Sequence, residues 1–227
     1  MIAVLPFAFD YSVVSEHSGE LLRGLLLTVE VAACGFALAA VLGLPLALAG
    51  RSRTPLLRIP ATMWIALARG VPLLIVIFWL YYAAAQEGLF SLTAFIAGML
   101  SLGLTGSGYM AEIYRSALSA VPTGQFESAA AIGLSRAQAF RVVILPQALR
   151  TAIPPAMNTF VMLLKGATLL SVIGLADMFY AAKLVAVNEF KPFELYTAAA
   201  VLVIAVTLVA AIGSGLVERR LSKGVRR

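Results

Sequence analysis

The chain is poor in the residues that most site chemistry needs: one cysteine, one histidine, and only 12% charged side chains among 227 residues. A lone Cys34 inside an apolar run closes no disulfide within the chain and builds no cysteine metal site, and it leaves the redox compartment unread. The one histidine, His17, precedes the first long apolar run, and no His-Glu-x-x-His occurs. An intramembrane hydrolase built on a metal or a Ser–His pair therefore has little to work with. A Gly-rich loop ending in Gly-Lys-Ser or Gly-Lys-Thr is also missing, so ATP is not bound and hydrolysed here by that route. Period-two alternation of apolar residues is absent, which excludes a transmembrane β-barrel.

What fills the sequence is apolar surface: 61% of residues are hydrophobic, with a mean hydropathy of +0.96. A chain of this length cannot bury so much in its own interior, so the bilayer is its solvent and the fold is that of an all-α integral membrane protein. The net charge of +6 does not point to nucleic acid, because Arg and Lys sit in short clusters beside apolar runs, the pattern of membrane topology. The opening MIAVLPFAFD lacks a basic start and meets Asp10 too early for a cleaved signal, and is expected to be retained.

Five apolar segments are long enough to cross roughly 30 Å of hydrocarbon. They run from about Leu21 to Ala49, Pro60 to Ala85, Leu89 to Met110, Ala148 to Ile173 and Leu195 to Val217. The second carries Arg-Gly-Val-Pro in its middle, where Gly70 and Pro72 are expected to break the helix. Basic residues gather after the first segment (Arg51, Arg53, Arg58), after the third (Arg115, Arg136, Arg141) and in the tail 218–227, whereas the segment 1–20 is acidic. The positive-inside rule then puts the N-terminus outside and the C-terminus in the cytoplasm, with the membrane domain spanning 21–217.

One cytoplasmic stretch, ESAAAIGLSRAQAFRVVILPQ from Glu127 to Gln147, is polar and rich in small residues. Alanine and glutamate favour a helix over about Gly124 to Ile132, Gly133 suits a left-handed C-terminal cap, and Ser135 with Gln138 forms a capping-box pattern opening a second helix toward Ile144. Pro146 is expected to stop or kink that helix. Exposed small side chains let a partner's groove approach the backbone, although a hairpin packed only on its own chain has the same local pattern.

This stretch resembles the EAA loop of ATP-binding-cassette importer permeases, with Glu127, Ala129, Gly133, Leu145 and Pro146 in register and mild departures at Ser128 and Val143. LLRGLLLTVEV, RGVPLLIVIFWLYY, AEIYRSALSAVPTGQ, LPQALRTAIPPAMN and LLKGATLLSVIGLADM are similar to blocks of the polar amino acid uptake branch. Departures are Val71 for Thr, Ser116 for Gly, and Gly166 where that branch often has Asp beside Lys165.

The resemblance implies a type I importer fold of five transmembrane helices with a cytoplasmic coupling helix, in a prokaryotic inner membrane. It also implies a second permease chain, identical or related, two ATPase subunits carrying ATP and Mg, and an extracytoplasmic binding protein delivering a polar or charged amino acid. No cofactor is expected on this chain. The coupling residues would lie in the loop at about 122–146: Gln125, Glu127, Ser128, Ala129, Ala130, Gly133, Leu134, Ser135 and Arg136. On hydropathy alone, an ATP-independent channel or an ion-coupled carrier remains the alternative.

Ionisable groups inside spans cost roughly 2.5 to 3.5 kcal/mol on insertion scales and are pathway candidates for that reason. Glu30, about 13 Å along the first helix from Leu21 at 1.5 Å per residue, is one; pairing with Arg23 or snorkelling would also account for it. Arg69 with the break Gly70, Val71, Pro72 and Leu73 is the strongest pathway candidate, because broken helices bare backbone groups to a zwitterion. Glu112 and Arg115 are spaced to pair on one helix face, and Lys165 lies within the fourth run. Asp177 and Lys183 read as loop charges on the outer side.

Overall fold

The computed structural model describes residues 9–88 and 91–222. The first eight residues of the N-terminal segment, Leu89 at the start of the third apolar run, and the last five residues of the basic tail lie outside the described residues. Within them the chain is helical, with no strand. A short α1 (Ser12–Glu16) leads into α2 (Ser18–Gly50); α3 (Pro55–Gly70) is followed by α4 (Leu73–Phe78), a π-helical turn (Trp79–Ala83) and α5 (Ala84–Gln86). Next come α6 (Ala94–Ser119), α7 (Thr123–Ala131), α8 (Arg136–Ala139), a π-helical turn (Phe140–Ile144), α9 (Leu145–Ala167) and a 3-10 turn (Thr168–Ile173). Helices α10 (Met178–Asn188) and α11 (Pro192–Ser222) complete the order.

Among the described residues, four helical stretches are long and apolar enough to cross a membrane: Ser18–Gly50, Ala94–Ser119, Arg136–Ile173 and Pro192–Leu216. The bent pair Pro55–Gly70 and Leu73–Ala83, turned by 103°, makes the fifth when counted as one span. Val71 and Pro72 are both extended (ψ 128° and 133°), since Pro72 offers no N–H and pushes the residue before it out of the helical region.

The boundaries differ from the sequence expectation where caps decide them. The third span begins at Ala94, because the Thr93 hydroxyl accepts the Ile96 N–H at 3.3 Å, and it runs past Met110 to Ser119. Pro146 does not stop its helix: the preceding π-helical turn absorbs the missing N–H, so one helical stretch runs from Arg136 to Ile173. Helix α11 continues to Ser222, into the segment assigned to the tail, and α1 and α10 were not anticipated.

Helix α2 buries a ladder of small residues at four-residue spacing, Gly35, Ala39, Gly43 and Ala47, against α6. Such ladders bring membrane helices close because apolar lipid offers no hydrophobic drive for association, leaving backbone approach and packing to do it. A Cβ placed on Gly43 would lie 2.6 Å from Met110 Cβ, and one on Gly106 would lie 2.7 Å from Ala39 Cβ.

Asp177 is not a solvated loop charge. It is fully buried, its Oδ1 accepts the Tyr180 N–H at 2.9 Å to cap α10, and its backbone carbonyl is pressed onto Gly24. The next residue donates its N–H to Thr28 Oγ1 at 3.2 Å, so this turn locks α10 onto α2. Burial pushes the Asp177 carboxyl up to about 7 from an ordinary 3.8. A raised native value means that the native state holds the proton more tightly than the unfolded chain. Stability contributed by the protonated carboxyl is then lost as pH rises from about 4 through 7. Asp177→Asn keeps the acceptor and removes the titration. Between pH 5 and 7.5 the melting temperature of the wild type is therefore expected to fall relative to that variant. Parallel pH profiles of the two proteins, read by thermal unfolding in detergent, would refute this.

Candidate functional site

Two places gather the polar residues singled out by the sequence. The first is the hairpin between α6 and α9. Helix α7 ends in a complete left-handed cap: Gly133 has φ +81°, its N–H donates to Ala130 O at 3.0 Å, and the Leu134 N–H donates to Ala129 O at 3.1 Å. One residue later the capping box closes: Ser135 Oγ accepts the Gln138 N–H at 3.4 Å and Gln138 Oε1 accepts the Ser135 N–H at 3.0 Å. Local chemistry thus builds a helix, a tight turn and a second helix start, as the residues predicted.

The same geometry sorts the side chains. Glu127, Ser128, Ala130, Gly133, Ser135 and Arg136 are exposed, Gln125 and Leu134 are half-buried, and Ala129 is turned inward against its own chain. Glu127 forms no ion pair among the described residues, and Phe126 and Ile132 are exposed beside it. A groove of about 420 Å³ lies between α7 and α8, lined by Phe126, Ala130, Leu134, Arg136 and Ala139. Gln147 Nε2 donates to Gln125 Oε1 at 3.3 Å, a tether from α9 to α7 that the sequence did not signal.

The second place is the helix break. Residues Arg69 through Leu73 line a cavity of about 310 Å³ together with Thr105 and Tyr109 of α6 and Gly166 of α9. Arg69 lies over the Tyr109 ring, 5.5 Å from its centroid, and Thr105 is nine-tenths buried with a hydroxyl that has no hydrogen-bond partner. A neighbouring cavity of about 450 Å³ shares Arg69 and Tyr109 and continues to Glu112, Arg115 and Thr151. There the expected pair is made: Arg115 Nε donates to Glu112 Oε2 at 3.1 Å and Nη2 at 2.5 Å. Glu30 and Lys165 line neither cavity; both are exposed on their helices, and no ion pair joins Glu30 to Arg23.

Thr105, Tyr109 and Glu112 were read only in part from the sequence. Their spacing of four and three places them on one face of α6, the signal that would have assembled this wall. Gly166 also has a local role: a Cβ there would come within 2.7 Å of Leu73 Cδ2, so its absence gives Leu73 room at the break.

The chain is similar to known proteins. Residues 39–223 match the profile of the family described as binding-protein-dependent transport system inner membrane component. The chain is 37% identical over 219 residues to a probable amino-acid permease protein, YxeN, of Bacillus subtilis, covering 96% of this chain and 98% of that protein. It is 34% identical over 215 residues to the arginine ABC transporter permease protein ArtQ of Haemophilus influenzae, covering 92% and 96% respectively. A solved structure described as an amino acid ABC transporter with histidines superposes with a TM-score of 0.88 at 31% identity, covering 94% of this chain and all of the other. With a family profile matched over most of its length and full-length relatives above 30% identity, the chain belongs to the inner membrane components of binding-protein-dependent transport systems.

Proposed function

We propose that this chain is the permease subunit of an ATP-driven importer, moving a polar or charged amino acid, or a close analogue, from an extracytoplasmic binding protein into the cytoplasm. Two such chains, identical or related, enclose the pathway, and two ATPase subunits dock beneath them with ATP and Mg. The N-terminal segment 1–20 lies outside and the tail 218–227 in the cytoplasm, with 21–217 forming the transmembrane domain.

The observation that carries this reading is the hairpin. Helix α7 is held by its own caps, with an exposed Glu127 that forms no ion pair among the described residues and small side chains turned outward between two spans. A nine-residue helix with that surface and a rigid turn is suited to sit in another subunit's groove and pass on its movement. The amino-acid permeases among its relatives support the substrate class. The break at Gly70–Leu73, with its cavity, is where the substrate crosses.

The test is purification of the chain from its native membrane in mild detergent, followed by identification of what accompanies it and reconstitution into vesicles. An ATPase subunit should co-purify, and uptake of an amino acid should stop when ATP is withheld. A stable complex without an ATPase, or uptake that survives ATP depletion, would establish a channel or an ion-coupled carrier instead.

A further inference from the structure

From the charges at the helix break we infer that the pathway selects substrates of net negative charge, an amino acid bearing a second carboxylate or another anionic group, and rejects cationic ones. This rests on reading the break as the place where substrate crosses.

Arg69 is the one charged residue lining the cavity at the break, and no carboxylate lines it. No ion pair neutralises Arg69 among the described residues; its contact is the face of Tyr109. The adjoining cavity repeats the balance, since its carboxylate, Glu112, is held by Arg115 and Arg69 is shared between the two. A substrate passing from one to the other therefore meets an excess of one positive charge on this chain's side of the pathway.

Net charge decides what such a site tolerates. A substrate of charge −1 brings a cavity of charge +1 to neutrality, a zwitterion leaves the excess in place, and a cation doubles it. The Thr105 hydroxyl, buried without a partner, and Tyr109 supply the polar contacts that fix orientation, while α9 presents Gly166 and no carboxylate. Rejection by like charge is the specificity device here, as well as attraction to Arg69.

The experiment is saturation-transfer NMR on the purified permease–ATPase complex in nanodiscs, without binding protein, using glutamate, glutamine and lysine as probes of similar size. Glutamate should bind about tenfold more tightly than lysine and several-fold more tightly than glutamine. Arg69→Gln should weaken glutamate binding more than glutamine binding and so abolish the preference between them, whereas Arg69→Lys, which keeps the charge, should retain it. Gly166→Asp should move the preference toward lysine, since the atom it would crowd, Leu73 Cδ2, is the free end of a flexible side chain. Lysine binding as tightly as glutamate, or an unchanged glutamate-to-glutamine ratio in Arg69→Gln, overturns the inference. Absence of binding by all three probes overturns it too. ATP-dependent uptake by the same complex, measured in parallel, separates either failure from failure of the importer reading.

Discussion

Replacing Glu127 with lysine is expected to leave the chain folded and inserted and to uncouple transport from ATP. Glu127 is exposed on α7 and makes no ion pair among the described residues, so reversing its charge breaks no ion pair there. If its carboxylate meets a cationic group in the ATPase groove, reversal replaces attraction by repulsion at a desolvated contact. Losing one partner of such a pair costs roughly 2 to 5 kcal/mol, or at least about thirtyfold in ATPase association. Reconstituted uptake and co-purification of the ATPase should fall together, while the thermal unfolding of the isolated permease should not move.

Gly133 gives an independent handle on the same hairpin. At φ +81° a side chain pays about 1 to 2 kcal/mol, and a β-branched one pays more, so Gly133→Val should misdirect α7. Asparagine tolerates that backbone, and Gly133→Asn should retain most uptake. Full ATP-dependent uptake in both Glu127→Lys and Gly133→Val would remove the hairpin from the coupling route.

The second large effect is on stability. Gly43→Val puts a Cβ within 2.6 Å of Met110 Cβ and 3.0 Å of the Ala111 nitrogen, atoms fixed to the backbone of α6 that cannot swing aside. Overpacking of this kind costs about 1 to 3 kcal/mol. The melting temperature should drop by roughly 2 to 4 °C for each kcal/mol in a chain of this size. Gly213→Val is the control, because nothing lies within 4 Å of a Cβ placed there. Equal melting temperatures for the two variants would show that α2 and α6 are not held by close backbone approach.

Much of this molecule was legible before its structure. The break was written in Gly70 and Pro72, because a missing N–H acts within one turn, and the cap at Gly133 and the box at Ser135 were written in residues at most five apart. Pro146 shows the limit of such local rules: proline forbids an ordinary helical turn, but a π-helical turn lies close enough in energy for packing of the long helix to select it. Asp177 shows another, since nothing adjacent in sequence announces that Gly24 and Thr28, some 150 residues away, will close over it.

The sequence by itself determined that the chain lives in a bilayer, about where its five long apolar stretches run, where one of them breaks and which polar hairpin stands between spans. Each of these follows from apolar run length or from caps that close within a few residues. Only the tertiary structure decided which polar groups meet: Arg69 over Tyr109, Thr105 and Gly166 around the break, Glu112 held by Arg115, and Glu30 and Lys165 left outside both cavities. The physical reason is that helix pairing in lipid is chosen by the fit of small faces such as Gly35, Ala39 and Gly43 against α6, and that fit depends on shape across long separations in the chain.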